Sequence, residues 1–297
     1  MAIYKGDKKV IALYKGDKKI IKKYKGTQVL YDVTNSGGED IEVTPYTLTI
    51  DWSRNNSTTT SGNTFYVKDE NGNKRFYTAT TSPYSVEIPA DTKHMVFHNI
   101  YVNEFIHFPT GLELNNYSSM LNNFKGTNLV VSDVNMGGVT EFNGSLFLGA
   151  DHLQTIDLRN WKWTNAQTFS QPFSNIFGSC GTKIYINGWE LPKITNLRGL
   201  FTLHSKATAI YASDVDMSKI TSFERAFHGC SNLFGIDVTN WNVNVANVTN
   251  TDYMFDDCTS LSVINLGSVT QEQYDWWYQR LVDAGIQDNV TLNHTII

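Results

Sequence analysis

Phenylalanine recurs at positions 147, 177, 201, 227 and 255, so the second half of the chain repeats with a period of 24 to 30 residues. The clearest copy runs Met254-Phe255-Asp256-Asp257-Cys258-Thr259-Ser260-Leu261-Ser262-Val263-Ile264-Asn265-Leu266. Before it, Ala226-Phe227-His228-Gly229-Cys230-Ser231-Asn232-Leu233-Phe234-Gly235-Ile236-Asp237-Val238 holds the same residue types in the same slots. Looser copies start at Leu200-Phe201, Ile176-Phe177 and Leu146-Phe147, with a degenerate first copy near Met120-Leu121. Ser132-Asp133-Val134-Asn135-Met136 echoes Ser213-Asp214-Val215-Asp216-Met217. Ile194-Thr195, Ile220-Thr221 and Val248-Thr249 each precede a repeat phenylalanine by the same distance. A unit this short cannot enclose a core of its own. It is stable only against its neighbours, so the spacing dictates a stack of coils.

A period in the twenties with one Ile-x-Leu strand per copy predicts a leucine-rich-repeat solenoid, each coil offering a strand and a helical turn. The end of such a stack must be covered. Residues 270–284 suit that role. Thr270 and Gln273 have capping-box spacing, and Tyr274, Trp277, Tyr278 and Leu281 form an apolar helical stripe. Gly285 can stop the helix, and Val290-Thr291-Leu292 reads as a closing strand. The expected class is mainly β with short helices, in three domains: 1–34 a repeat arm, 39–112 a small β-sandwich, and 118–297 the solenoid with its cap.

The sandwich expectation rests on local signals. Val43, Tyr46, Leu48 and Ile50 are spaced mostly by two, as on a half-buried strand. Phe65-Tyr66-Val67 and Arg75-Phe76-Tyr77 flank Asn71-Gly72, a strong hairpin signal. Val96 to Tyr101 reads as another strand, and Asn35-Ser36-Gly37-Gly38 as a linker to the arm.

The arm repeats Tyr-Lys-Gly every ten residues: Tyr4-Lys5-Gly6, Tyr14-Lys15-Gly16 and Tyr24-Lys25-Gly26. Its Gly-Asp and Gly-Thr pairs mark turns between short strands. Residues 1–32 hold nine Lys against three Asp, while the remainder holds 15 basic and 26 acidic residues. A basic arm on an acidic body is expected to meet something negative. Its regular Gly and β-branched residues favour an acidic protein socket over nucleic acid, and no nucleic-acid module is present. No apolar signal core opens the sequence and no window approaches about 18 apolar residues. Three cysteines are too few for a disulfide framework. Assembly in a reducing cytoplasm is therefore expected.

Phe255, Cys258 and Leu261, with Phe227, Cys230, Leu233, Ile236, Trp241 and Val248-Thr249, resemble the bacterial-surface repeats called BspA-like. The resemblance covers roughly 118–268. It implies a solenoid, adhesion and surface binding, and no catalytic residues. The Tyr-Lys-Gly leader is similar to leaders on structural proteins of crAss-like phages of Bacteroidetes. That resemblance implies attachment to a virion, with Tyr4, Lys5, Tyr14, Lys15, Tyr24 and Lys25 as the docking residues.

Candidate chemistry is sparse. Cys180, Cys230 and Cys258 share one slot and read as a buried ladder, since zinc would need further converging ligands. His94, His98 and His107 lie close together in sequence, and a metal on an oligomer axis is one reading of them. Asp214, Asp216 and Asp256-Asp257 fall in turns, where short polar side chains bond nearby backbone. No nucleophile elbow, P-loop or dinucleotide fingerprint occurs, so neither an enzyme nor a cofactor is expected. Trp161, Trp189 and Trp241 occupy the repeat's tryptophan slot and read as packing. Trp163 and Trp276 fall outside that slot, and Phe169 and Phe173 lie in the longest repeat. These four are the expected ligand surface.

The reading that follows is a fibre-like phage virion protein, of head or tail, made in the host cytoplasm and carried on the virion. The arm would dock to other virion proteins, and the repeats would face a cell-surface glycan or protein. A homotrimer is expected, without nucleic acid or membrane insertion. The alternative is a bacterial repeat adhesin binding host or matrix proteins.

Overall fold

The computed structural model describes residues 2–5, 8–15, 18–25, 28–33, 46–52, 63–79, 84–98, 104–107, 112–116, 128–142, 153–169, 183–202 and 205–297. Side chains are described at 65–78, 85–97, 112–116, 128–141, 153–167, 183–202 and 205–297. The arm contributes β1 (Ala2–Lys5), β2 (Lys8–Lys15), β3 (Lys18–Lys25) and β4 (Gln28–Val33). Next come β5 (Tyr46–Trp52), β6 (Asn63–Asp69), β7 (Lys74–Ala79), β8 (Tyr84–Ile88), β9 (Thr92–His98) and β10 (Glu104–His107). The repeats supply β11 (Asn128–Val130), β12 (Glu141–Phe142), β13 (Thr155–Asp157), β14 (Thr168–Phe169), β15 (Lys183–Tyr185), β16 (Ala209–Tyr211) and β17 (Gly235–Asp237). The chain closes with β18 (Val263–Val269), α1 (Gln271–Asp283) and β19 (Thr291–Ile296).

The repeats form a β-solenoid. Strands β11, β13, β15, β16, β17, β18 and β19 pair in parallel, each with the next. Their register stacks Leu129, Ile156, Ile184, Ile210, Ile236, Ile264 and Leu292 in one column, in steps of 26 to 28 residues. The first six of these side chains are buried. Each coil turns its corner through a left-handed residue: Asp133, Asn160, Gly188, Asp214 and Asn240 all have φ between 61° and 69°. That conformation costs an ordinary L-residue about 1–2 kcal/mol, so Asp, Asn and Gly fill the slot. Asn160 donates to Asp133 Oδ1 at 2.9 Å and Asn240 to Asp214 Oδ1 at 2.6 Å, tying neighbouring corners together.

The return side of the coil departs from the helical turn expected per repeat. Among the described residues only Val245–Asn247 forms a 3-10 turn within a coil. In one coil the amides of Phe223, Arg225, Phe227 and Gly229 donate to the carbonyls of Asn250, Asp252, Met254 and Asp256 in the next coil. The amides of Ala226, His228 and Cys230 close local turns on residues three back. A helix would use all these donors internally. Here four of the seven are spent on the neighbouring coil, and that stitching replaces the helix.

Inside the stack, Phe227 lies between Phe201 and Phe255, with ring centroids 5.5 and 5.2 Å away. Cys230 Sγ donates to the Phe201 carbonyl at 3.0 Å and Cys258 Sγ to the Phe227 carbonyl at 3.1 Å. The cysteine slot is thus a buried ladder at these two positions, and burial raises the Cys258 thiol pKa. Cys180 lies outside the described residues. The tryptophan slot works the same way: Trp189 Nε1 donates to Leu158 O and Trp241 Nε1 to Ala212 O, each at 2.6 Å. Trp161 Nε1 donates to Val131 O.

At the C-terminal end α1 has the expected capping box: Gln273 N donates to Thr270 Oγ1 at 3.2 Å, and Thr270 N to Gln273 Oε1 at 3.0 Å. Gly285, at φ 69°, follows the helix in the left-handed conformation. The buried face shares Trp277 and Leu281 with the predicted stripe and departs from it at Trp276 and Tyr278. It is Trp276, Trp277 and Leu281, while Tyr278 is 44% exposed.

N-terminal to the coils, β10 pairs with β11, β5 with β10, and β8 with β5, which extends the solenoid sheet to ten strands. Strands β7, β6 and β9 form a separate three-stranded sheet. The expected hairpin at Asn71-Gly72 joins β6 to β7, with Gly72 at φ 79°. Phe65, Val67, Met95 and Phe97 belong to the same hydrophobic core as Leu112, Leu129 and the coil residues. Strands β1 to β4 make an antiparallel four-stranded sheet of their own.

Candidate functional site

Two of the four predicted ligand-surface aromatics are buried. Trp163 is fully buried, with Trp161 5.7 Å and Trp189 5.8 Å away between ring centroids. It lies two residues beyond Trp161 on an extended segment, so both rings point inward and the exposed Lys162 points out. Trp276 is 8% exposed, edge-on to Trp277 and packed on Phe223. The helix lies across the open end of the stack, so adjacent positions 276 and 277 both face the core. Phe169 ends β14, its side chain outside those described, and Phe173 lies outside the described residues.

Buried His94 lies on β9, bridged to Asn116. His98 and His107 end β9 and β10, their side chains outside those described. Among the described residues no group of three His, Cys, Asp or Glu is placed to hold a metal. Asp214 and Asp216 serve turns: Ser218 N donates to Asp216 Oδ1 at 2.9 Å. Hydrogen bonds from Asn240 and Ser213 hold the Asp214 carboxyl below its ordinary pKa, and the Ser218 amide does the same for Asp216.

The surface has two features that sequence reasoning missed. On the outer face of the parallel sheet Tyr185 and Tyr211 stack face to face, 4.5 Å apart and 7° from parallel. Each ring uses a face on the other, and burial raises the Tyr185 pKa. The second feature is a cleft of about 360 Å³ between the last coil and the C-terminal end of α1. Thr251, Asp252, Tyr253 and Asp256 line one wall, and Arg280, Asp283 and Ala284 the other. Arg280 Nε donates to Asp283 Oδ2 at 3.0 Å and Nη2 forms an ion pair with the same oxygen at 3.0 Å, which fixes the guanidinium. Tyr253 is 53% exposed, and the Arg225 guanidinium lies 5.1 Å from its ring centroid. Both have left-handed backbones, φ 54° at Arg225 and 58° at Tyr253. The repeat period aligns them with Gly199, but no sequence signal marks the slot as left-handed.

The predicted attachment residues end strands of the arm: Tyr4 and Lys5 in β1, Tyr14 and Lys15 in β2, Tyr24 and Lys25 in β3. The register sets Lys5 opposite Lys8, Lys15 opposite Lys18, and Lys25 opposite Gln28.

Stacked parallel strands, a ladder of repeated core residues and a capped end define a repeat protein of the β-solenoid class. The chain belongs to the family described as Mycoplasma protein of unknown function, DUF285, which it matches over residues 91–178 and 172–279. The match supports the resemblance to BspA-like surface repeats and reaches further toward the N-terminus than the motif did. The Tyr-Lys-Gly leader lies outside it. No curated protein and no solved structure matches the chain.

Proposed function

We propose that this surface repeat protein is a fibre-like component of a phage virion, held by its arm and presenting its coils to a cell-surface glycan or protein. The carrying observation is the arm register. Like charges directly opposite on neighbouring strands destabilise a sheet. Lys5 faces Lys8 and Lys15 faces Lys18 at the ends of paired strands. An acidic socket on another virion protein would offset that repulsion and couple docking to ordering of the sheet. The arm strands hydrogen-bond among themselves in a sheet distinct from the coil sheet, which suits a separate tether. Repetition of a weak contact over many copies, as homotrimers or higher arrays, would supply avidity.

The test is deletion of residues 1–32. The truncated chain stays folded and no longer copurifies with particles. Stoichiometric copurification of the truncated chain overturns the proposal. A second reading, a bacterial surface adhesin, is favoured by the family match, since the described family is named for a cellular organism. Surface labelling of bacterial cells in the absence of phage separates the two. Both readings concern binding, and neither requires catalysis.

A further inference from the structure

We infer that the cleft at the C-terminal end of the coil stack binds a neutral hexose unit of a glycan, with Tyr253 as its stacking platform. This rests on the glycan branch of the binding reading above, and it is independent of how the chain is anchored.

One slot recurs at the same place in three successive coils. The amide of Gly199 donates to Glu224 O and that of Arg225 to Asp252 O, so Gly199, Arg225 and Tyr253 occupy equivalent left-handed positions. Glycine satisfies that backbone without a side chain, and the first of these coils needs none there. The slot carries no packing requirement for a large residue, yet the last two coils place Arg and Tyr in it against their backbone preference. Tyr253 is mostly exposed, so burial does not account for it. Arg225 covers the ring from the preceding coil. On the following side no further coil continues this column, and the cleft opens toward α1.

The polar groups around the ring are of the right kind. Among the described residues nothing donates a hydrogen bond to the Asp252 or Asp256 carboxylates, so both can accept from hydroxyls. Arg280 is held by Asp283, which in turn accepts from Gln279 at 2.9 Å, leaving a fixed donor on the opposite wall. An aromatic platform, free carboxylate acceptors and a fixed guanidinium match the C–H face and vicinal hydroxyls of a pyranose. The cleft's volume suits one or two sugar units rather than a long chain.

The experiment uses the full chain on an array of neutral tetrasaccharides built from glucose, galactose, mannose and N-acetylhexosamines, followed by titration calorimetry with whichever binds. Tyr253→Ala weakens binding at least tenfold, Tyr253→Phe stays within about threefold of wild type, and Asp256→Asn weakens binding severalfold. Tyr278→Ala, outside the cleft, leaves it unchanged. Circular dichroism melts show each variant folded. If no neutral tetrasaccharide binds, or Tyr253→Ala binds like wild type, the inference is wrong. Binding of a lysine-rich peptide that survives Tyr253→Ala and is abolished by salt would instead identify a cation site and also overturn it. Loss of the cleft's ligand leaves particle attachment through residues 1–32 untouched, so the two failures are distinguishable.

Discussion

The earlier and later coils share one backbone ladder but fill it differently. In the coils of β13 and β15 the slots that follow the strand hold three indoles, Trp161, Trp163 and Trp189, tilted or stacked at 5.7 to 6.3 Å. In the later coils Val215 and Trp241 hold the position of Trp189, and Leu191, Met217 and Val243 follow Trp163 in its slot, all buried, while the phenylalanine slot stacks Phe201, Phe227 and Phe255 beside the Cys230 and Cys258 thiols. The strand registers are equally regular in both halves. Backbone stitching and one aliphatic column therefore set the coil, and the remaining interior can be solved in more than one way.

The largest effects should come from emptying either interior. Phe227→Ala and Trp163→Ala should each cost about 3–5 kcal/mol in denaturant unfolding. Hydrogen exchange should show the two losses in different coils, because each coil contacts only its neighbours. Identical loss of protection throughout would mean that the halves are a single cooperative unit. A smaller effect should follow Trp189→Phe, which leaves the Leu158 carbonyl without its indole donor, at about 1–3 kcal/mol. Thr270→Ala removes the N-cap of α1 and should cost about 1 kcal/mol, felt at the last coil and not among the indoles. The smallest effect concerns pH. The Asp214 pKa is depressed in the folded state, so its contribution is present above the ordinary carboxylate value of 3.8 and fades as pH falls through the folded value. Asp214→Ala should lower the neutral plateau of the melting-temperature profile more than its acid end, and so flatten the acid limb.

Legibility followed the same division. Phe227, Phe255, Cys230 and Cys258 repeat residue for residue, so the ladder could be read directly. The capping box at Thr270 and Gln273 was equally plain, because capping chemistry is local. The burial of Trp163 was not legible, because alternation on an extended segment, not the repeat, decides which way it points. That of Trp276 was hidden because a helix lying across a stack end buries a broader face than a simple stripe. The cleft beside Tyr253 stayed invisible for another reason: its walls come from segments about 30 residues apart that meet only after the helix folds back. The Lys–Lys oppositions of the arm depend on strand register, which the ten-residue period alone left open.

One aligned column, one residue per coil, makes the outer sheet behave like a graduated rule. Each added unit of 26 to 28 residues advances it by about 4.8 Å and disturbs neither the graduation before it nor the one after. Lengthening or shortening such a molecule therefore proceeds in whole divisions, through duplication or loss of a segment of that size. Reach can change from one variant to another while both extremities keep their form.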